Sequence, residues 1–369
     1  MNHGIKLIAS TAALLAFSAS IAVADTADKA HPAQGSLTLA ITMTNDPAAN
    51  QIKVYDVSTH TLLQTLPTNG AGGAGGNAFG VRQLDNELFA AVNNGSHSVA
   101  IFRRNGDHLN FDRTVATTSA PVSIDFGNDH MYVAGATSVD SFPIRGHRVG
   151  SRDGSALLQL VGGIAPPNGS TAQVGVLDDS SLLVTLKTDP VPGTVDIVAL
   201  NHGAIAFATP KVVSAPAGTL TPFGFAVYSD GTAVITLAHS TQIGLFRDNA
   251  FTSVIGSAGQ TAPCWMVRTG KYVYSVNAGS RTISRVVGTG NNIFVDAAVA
   301  GTVTTGGPSD VDASPEVLGV IDHAGGASHL TLFALNEFGE LSPLGAAIDL
   351  GTANANGIAI MSPPEANAG

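Results

Sequence analysis

The stretch that decides the fold runs from Ala262 to Val287 and reads APCWMVRTGKYVYSVNAGSRTISRVV. A proline opens it, and a short apolar strand follows at Cys264 to Val267. The turn Thr269-Gly270-Lys271 leads into an alternating strand, Tyr272 to Val276, and Asn277-Ala278-Gly279-Ser280 leads into a third, Thr282 to Val287. Gly and Asn mark the turns because they tolerate left-handed backbone. Degenerate copies of the same plan begin at Asn77, Pro121, Ser170, Pro222 and Pro308, about 40–50 residues apart. That is the repeat length of a four-stranded propeller blade.

Counting blades fixes the architecture. Complete units run from Asn77 to about Leu350 and number six. Three strands precede them, at Ser36–Thr44, Gln51–Val57 and Leu62–Leu66, and one follows at Gly357–Met361. Three plus one makes a seventh blade. The expected fold is therefore all-β: a seven-bladed β-propeller of four-stranded blades over 36–361, its ring closed by the C-terminal strand joining the three N-terminal strands. Tyr272–Val276 and Leu182–Leu186 are apolar on both faces, as suits a sheet sandwiched between two neighbours. Cys264 is the only cysteine, so no internal disulfide forms and ring closure takes over that constraint.

The pattern of Ala262-Pro263-Cys264-Trp265 with Tyr274 to Ser284 resembles the lactonase-type seven-bladed propellers. These are the 6-phosphogluconolactonase and 3-carboxymuconate-cyclase-like proteins, with the related YVTN-repeat surface proteins. Asp322 to Gly339 (DHAGGASHLTLFALNEFG) and Asn93 to Asp107 (NNGSHSVAIFRRNGD) carry the same likeness, which covers about Ser36 to Met361. It implies a propeller fold and a lactone-opening activity.

The ends and the charge bound the setting. Lys6, the apolar run Leu7 to Ile21 and the small-x-small triplet Ala22-Val23-Ala24 predict a cleaved signal peptide over 1–24. A polar lead-in (25–35) and a polar tail (362–369) are expected to be flexible. No cysteine follows the leader as a lipid attachment site, so the expected location is periplasmic or secreted. Charged residues make up 12% of the chain and the formal net charge is −10. No run of five or more basic residues occurs, which argues against nucleic acid and anionic membranes as partners. No membrane span is expected, and a monomer is.

Loops entering the inner strands and loops between second and third strands share one face of a propeller, where ligands commonly bind. Mapping the repeat places His239, His323, Asp322, Asn93, Lys187, Asp189, Asn277, Asp310 and Asn356 there. Arg82 and Arg268 fall within inner strands beside the channel, and in a chain so poor in charge each calls for a partner. Lactone opening needs a base for water and a donor for the oxyanion. His239, His323, Asp322, Arg268 and Arg82 are the expected catalytic set. Asn93, Lys187, Asn277 and Asn356 are the expected substrate contacts. Asn and Asp also occupy such loops simply because turns favour them.

Gly70 to Gly75 matches G-x-G-x-x-G but precedes a strand, so no helix N-terminus receives a phosphate there. No cofactor is expected, and a Ca²⁺ on Asn93, Asn277 and Asp322 is the metal alternative. Asn94-Gly95-Ser96 and Asn168-Gly169-Ser170 are glycosylation sequons. The expected function is an exported lactonase-like hydrolase or isomerase acting on a small acidic lactone, or a sugar-derived ligand, at the channel mouth. The alternative is a non-catalytic cell-envelope propeller that recognises a protein or glycan. An enzyme should show a concavity where a His or carboxylate meets an Arg; a scaffold should show no strongly perturbed titratable group.

Overall fold

Short β-rich segments punctuated by Gly, Asn and Asp turns give antiparallel hairpins, and the hairpins stack radially. The computed structural model describes residues 1, 35–160, 171–187 and 193–364. The leader, nearly all of the lead-in, Asn168, Asp189 and the last five residues lie outside the described residues. Everything below concerns the unit Ala33–Gly369.

There are seven sheets. In blade one, Asn356–Met361 is innermost, followed outward by Leu39–Met43, Gln51–Asp56 and Leu62–Pro67. The inner strands of blades two to seven are Val81–Leu84, Pro121–Gly127, Thr171–Asp178, Pro222–Val227, Pro263–Thr269 and Gly307–Ala313. Each inner strand touches the next, and Asn356–Met361 touches both Gly307–Ala313 and Val81–Leu84, so the ring is closed. In blades three, four and seven the outermost position is split into two short strands. Among the described residues the only helical elements are two single 3₁₀ turns, Asn94–Ser96 and Ala238–Ser240. No described helix is long and apolar enough to cross a membrane.

The closing strand pairs antiparallel with Leu39–Met43, Leu39 opposite Met361 and Ile41 opposite Ala359. The joint is also tied by side chains. Arg104, its side chain 2% exposed, donates to the carbonyls of Leu37 and Ser362. Asp107 accepts the amides of Ser36 and Leu37 at 2.8 and 2.9 Å. One turn of blade two thus holds both ends of blade one.

The core lies between blades. Tyr274, Val276 and Ile283 of blade six pack against Val311, Leu318, Val320 and Phe333 of blade seven. Burying a large apolar side chain contributes about 1.5–3 kcal/mol, and both faces of most middle strands are used this way. Leu182–Leu186 lies wholly within a buried strand, as its two-faced apolar character predicts.

Candidate functional site

The glycine-rich connector between blades one and two closes one end of the channel. A Cβ on Gly72 would sit 2.4 Å from the Asn45 carbonyl carbon, so the connector is glycine-rich because it lies directly on blade one. It carries Asn77, Ala78 and Phe79 across the starts of the inner strands, all three buried. Asn77 Nδ2 donates to the Val122 carbonyl (2.6 Å), and its own carbonyl accepts the Trp265 indole N–H (2.8 Å) from blade six. The Ala78 amide reaches Ala172 of blade four (3.0 Å), and Phe79 O accepts the Ile124 amide of blade three (2.9 Å). Asn356 Nδ2 donates to Asn77 Oδ1 (3.0 Å). Trp265 packs edge-on against Phe223, ring centroids 5.3 Å apart. Phe79 has φ +57°, a left-handed backbone that costs a bulky residue on the order of 1–3 kcal/mol and marks a position held by its surroundings.

The other end is open. The second halves of the inner strands surround a cavity of about 350 Å³. Its polar wall is built from Arg82, Asp125, Gln173, Arg268 and Asp312, with Phe225 among the apolar residues. Arg82 is the centre. Its Nη2 donates to Asp125 Oδ1 at 3.1 Å and its Nη1 to Asp312 Oδ1 at 3.4 Å. Its guanidinium lies 4.2 Å from the centroid of the Phe79 ring. The second oxygens are also engaged: Asp125 Oδ2 accepts the Val176 amide (2.9 Å) and Asp312 Oδ2 the Ile360 amide (2.8 Å). Blades one, two, three, four and seven meet in this cluster.

Burial opposes the Arg82 charge, but Asp125 and Asp312 more than offset it and hold the guanidinium firmly protonated. Burial also lifts the Asp312 carboxyl above the usual range, against the pull of Arg82 and the Ile360 amide. Asp310, two residues back on the same strand, is lifted well above that range, again chiefly by burial. Gln173 is fixed by a pair of bonds to Phe225, Nε2 to its carbonyl (2.8 Å) and Oε1 from its amide (2.9 Å). Arg268 is exposed, donates to the Gly270 carbonyl (2.8 Å) and lies 5.5 Å from the Tyr228 ring centroid.

The residues expected to form one site divide between the two ends. Arg82 and Arg268 line the open cavity. His239, His323, Asp322, Asn93, Lys187, Asn277 and Asn356 lie at the end where the inner strands begin. His239 sits on the 3₁₀ turn of blade five with Nδ1 3.0 Å from Thr221 Oγ1. His323 Nδ1 is 2.9 Å from Ser328 Oγ, and burial first of all lowers its pKa. The imidazole beside Asp322 is that of His329 (3.3 Å); Asp322 also accepts from Thr305 Oγ1 (2.7 Å). Asn93 Oδ1 accepts from Thr68 Oγ1 (2.7 Å) and Asn50 Nδ2 (3.1 Å). Asn277 Nδ2 donates to Ser284 Oγ (2.8 Å). Lys187 Nζ donates to the carbonyls of Gly75 (3.2 Å) and Gly76, and burial brings its pKa down to about 8.

The residues considered for Ca²⁺, Asn93, Asn277 and Asp322, stand on blades two, six and seven, each with hydrogen-bond partners of its own. No group of three His, Cys, Asp or Glu side chains that could hold a metal occurs among the described residues. Asp125, Asp312 and Gln173 are functional candidates missing from the sequence-based set. The signal was the presence of charged or amide residues inside inner strands, PVSIDFG, PSDVDA and TAQVGV, where neighbours on both sides exclude water.

No protein-family model and no curated protein sequence matches the chain. Solved structures do. A protein of Bacteroides fragilis NCTC 9343, provisionally named a 6-phosphogluconolactonase, is 15% identical with a TM-score of 0.63, covering 89% of this chain and 99% of that one. A Bacteroides uniformis ATCC 8492 protein of the same provisional name gives 15% and 0.63, over 88% and 99%. A Lactobacillus plantarum protein gives 16% and 0.64, over 88% and 100%. The chain has the fold of the lactonase-type seven-bladed propellers.

Proposed function

We propose that this propeller is an exported, monomeric, lactonase-like hydrolase that opens a small acidic lactone in the cavity at the open end of the channel. The observation that carries the reading is Arg82, held between Asp125 and Asp312 in a concavity whose rim carries the exposed Arg268. Carboxylates and an arginine converge within hydrogen-bonding reach, and burial raises the pKa of one of the lining acids, Asp312. Those are the features that favour an enzyme over a passive binding surface. Fold likeness adds support but no residue assignment, because one fold hosts many chemistries.

In this mechanism Arg268 binds the acidic group of the substrate, since its only hydrogen-bond partner among the described residues is a backbone carbonyl. Arg82 lines the same cavity and supplies the positive charge that stabilises the oxyanion. Asp312, made more basic by burial, takes a proton from water as the water oxygen attacks the lactone carbonyl. The ring C–O bond then breaks, the proton passes to the departing alkoxide, and a hydroxy acid leaves. A carboxylate with a raised pKa suits the proton-accepting role near neutral pH.

The test is a hydrolysis screen over small acidic lactones, with and without chelator. The expected result is turnover by the wild type and a kcat lowered by about 10²–10⁴-fold in Asp312→Asn. Arg268→Ala should mainly raise KM. If the wild type opens no lactone, or Asp312→Asn matches it, the reading is wrong. Ligand binding without turnover would point instead to the binding propeller.

A further inference from the structure

Three carboxylates surround the Arg82 guanidinium, and one of them, set behind the cavity wall, does not touch it. Asp310 is completely buried. Its Oδ1 accepts the amide of its own neighbour Val311 at 2.9 Å, its buried Oδ2 meets no donor at hydrogen-bonding distance, and the Phe79 amide nearby offsets only part of the cost of burial. The two Nη groups of Arg82 are already given to Asp125 and Asp312. An ionised carboxylate with an unpaired oxygen, out of water and with no cation bonded to it, is strongly disfavoured. We infer that Asp310 carries a proton at neutral pH, and that this neutral acid is a positioning residue: it leaves Arg82 balanced against Asp125 and Asp312 alone, which keeps the guanidinium bridging blades three and seven over the cavity.

The surrounding charges agree with this. Asp312 stands two residues along the same strand, Arg82 comes from blade two, and Asp125 lies beyond Arg82. Blade six, packed against this strand, brings Cys264 and Arg268 on its inner strand and Tyr272 and Tyr274 on its second. Asp322 and His323 stand on the adjoining strand of blade seven, Asp322 next to Ile321, which pairs with Asp310, and the blade-one strand Asn356–Met361 has no titratable side chain. Arg82 is the only cation acting on Asp310. Were Asp310 to ionise, a third negative charge would compete for Arg82 and draw it off the bridge.

The proton itself stands whatever the cavity binds; only its effect on turnover rests on the hydrolase reading. A carboxyl whose folded-state pKa lies above its unfolded value stabilises fully below the unfolded value, about 4, and loses that contribution as pH rises through the folded one. Asp310→Asn is neutral at every pH. Thermal unfolding of the full chain and of Asp310→Asn across pH is therefore the experiment. The expected melting-temperature gap in favour of Asp310→Asn is small near pH 4. It widens by about 2–4 °C per pH unit upward. A gap that does not change with pH, or one that narrows, overturns the proposal. Should Asp310→Asn fail to fold, infrared spectroscopy of the wild type decides: a protonated-carboxyl band persisting above neutrality is expected, and its absence overturns the proposal. Neither readout uses a lactone, so a proton found without lactone turnover would sink only the hydrolase.

Discussion

The two ends of the channel are made from the same seven strands, yet they differ in kind. Where the inner strands begin, Asn and Trp side chains and peptide groups bond to one another, and Asn77–Phe79 closes the opening. Where those strands run on, side chains of opposite charge face a cavity that water can enter. A polar side chain in a turn serves first to satisfy the backbone around it, because turns leave amides and carbonyls to be paired. A charged side chain inside a buried strand, such as Asp125 or Asp312, pairs with Arg82 as well as with a backbone amide. It persists only where partners hold it in place, and that arrangement can bind and react.

The largest expected effect is on stability at the open end. Arg82→Leu leaves Asp125 and Asp312 facing each other without a cation, and removing one partner of a buried pair costs about 3–5 kcal/mol. Arg82 is 25% exposed, so the lower part of that range is expected in denaturant unfolding. Arg104→Ala should cost about 2–3 kcal/mol, since it frees the carbonyls of Leu37 and Ser362 and unfastens both chain ends. A variant that unfolds at the wild-type midpoint would show that strand pairing alone closes the ring.

Trp265→Ala probes the closed end. It removes the indole over Phe223 and the bond to Asn77, and should cost about 2–3 kcal/mol while changing kcat less than about threefold. A large loss of kcat at wild-type stability would move the chemistry to that end. The smallest effect concerns Lys187. Its lowered pKa means that the folded state binds fewer protons than the unfolded one between about 8 and the ordinary lysine value. Stability should therefore rise slightly with pH across that window. Lys187→Met should flatten the rise in a pH series of melting temperatures.

The fold was legible because its signals are local. Proline and glycine punctuation, strand length and the leftover count of three strands plus one were enough to bring Gly357–Met361 to the three N-terminal strands as a seventh blade, and the structure pairs it with Leu39–Met43. The site was legible in part. Arg82 stood out as a charge inside a strand, and the same reasoning extended to Asp125 and Asp312 would have found its partners. What the sequence could not supply was the fate of Asn77–Phe79. Nothing in NGAGGAGGNAF says that these residues cross the channel and bond to blades one, three, four and six; that depends on contacts far apart along the chain. Asn93 and Asn277 were chosen for their place in the repeat, and their side chains are engaged within the sheet framework.

The most direct test compares the two ends in one assay, by measuring kcat for Asp312→Asn and for the paired variant His239→Ala, His323→Ala on a single acidic lactone. A loss of about 10²-fold or more in the first, with the second staying close to wild type, is the predicted result. The reverse ordering would contradict the assignment of the chemistry to the Arg82 cavity.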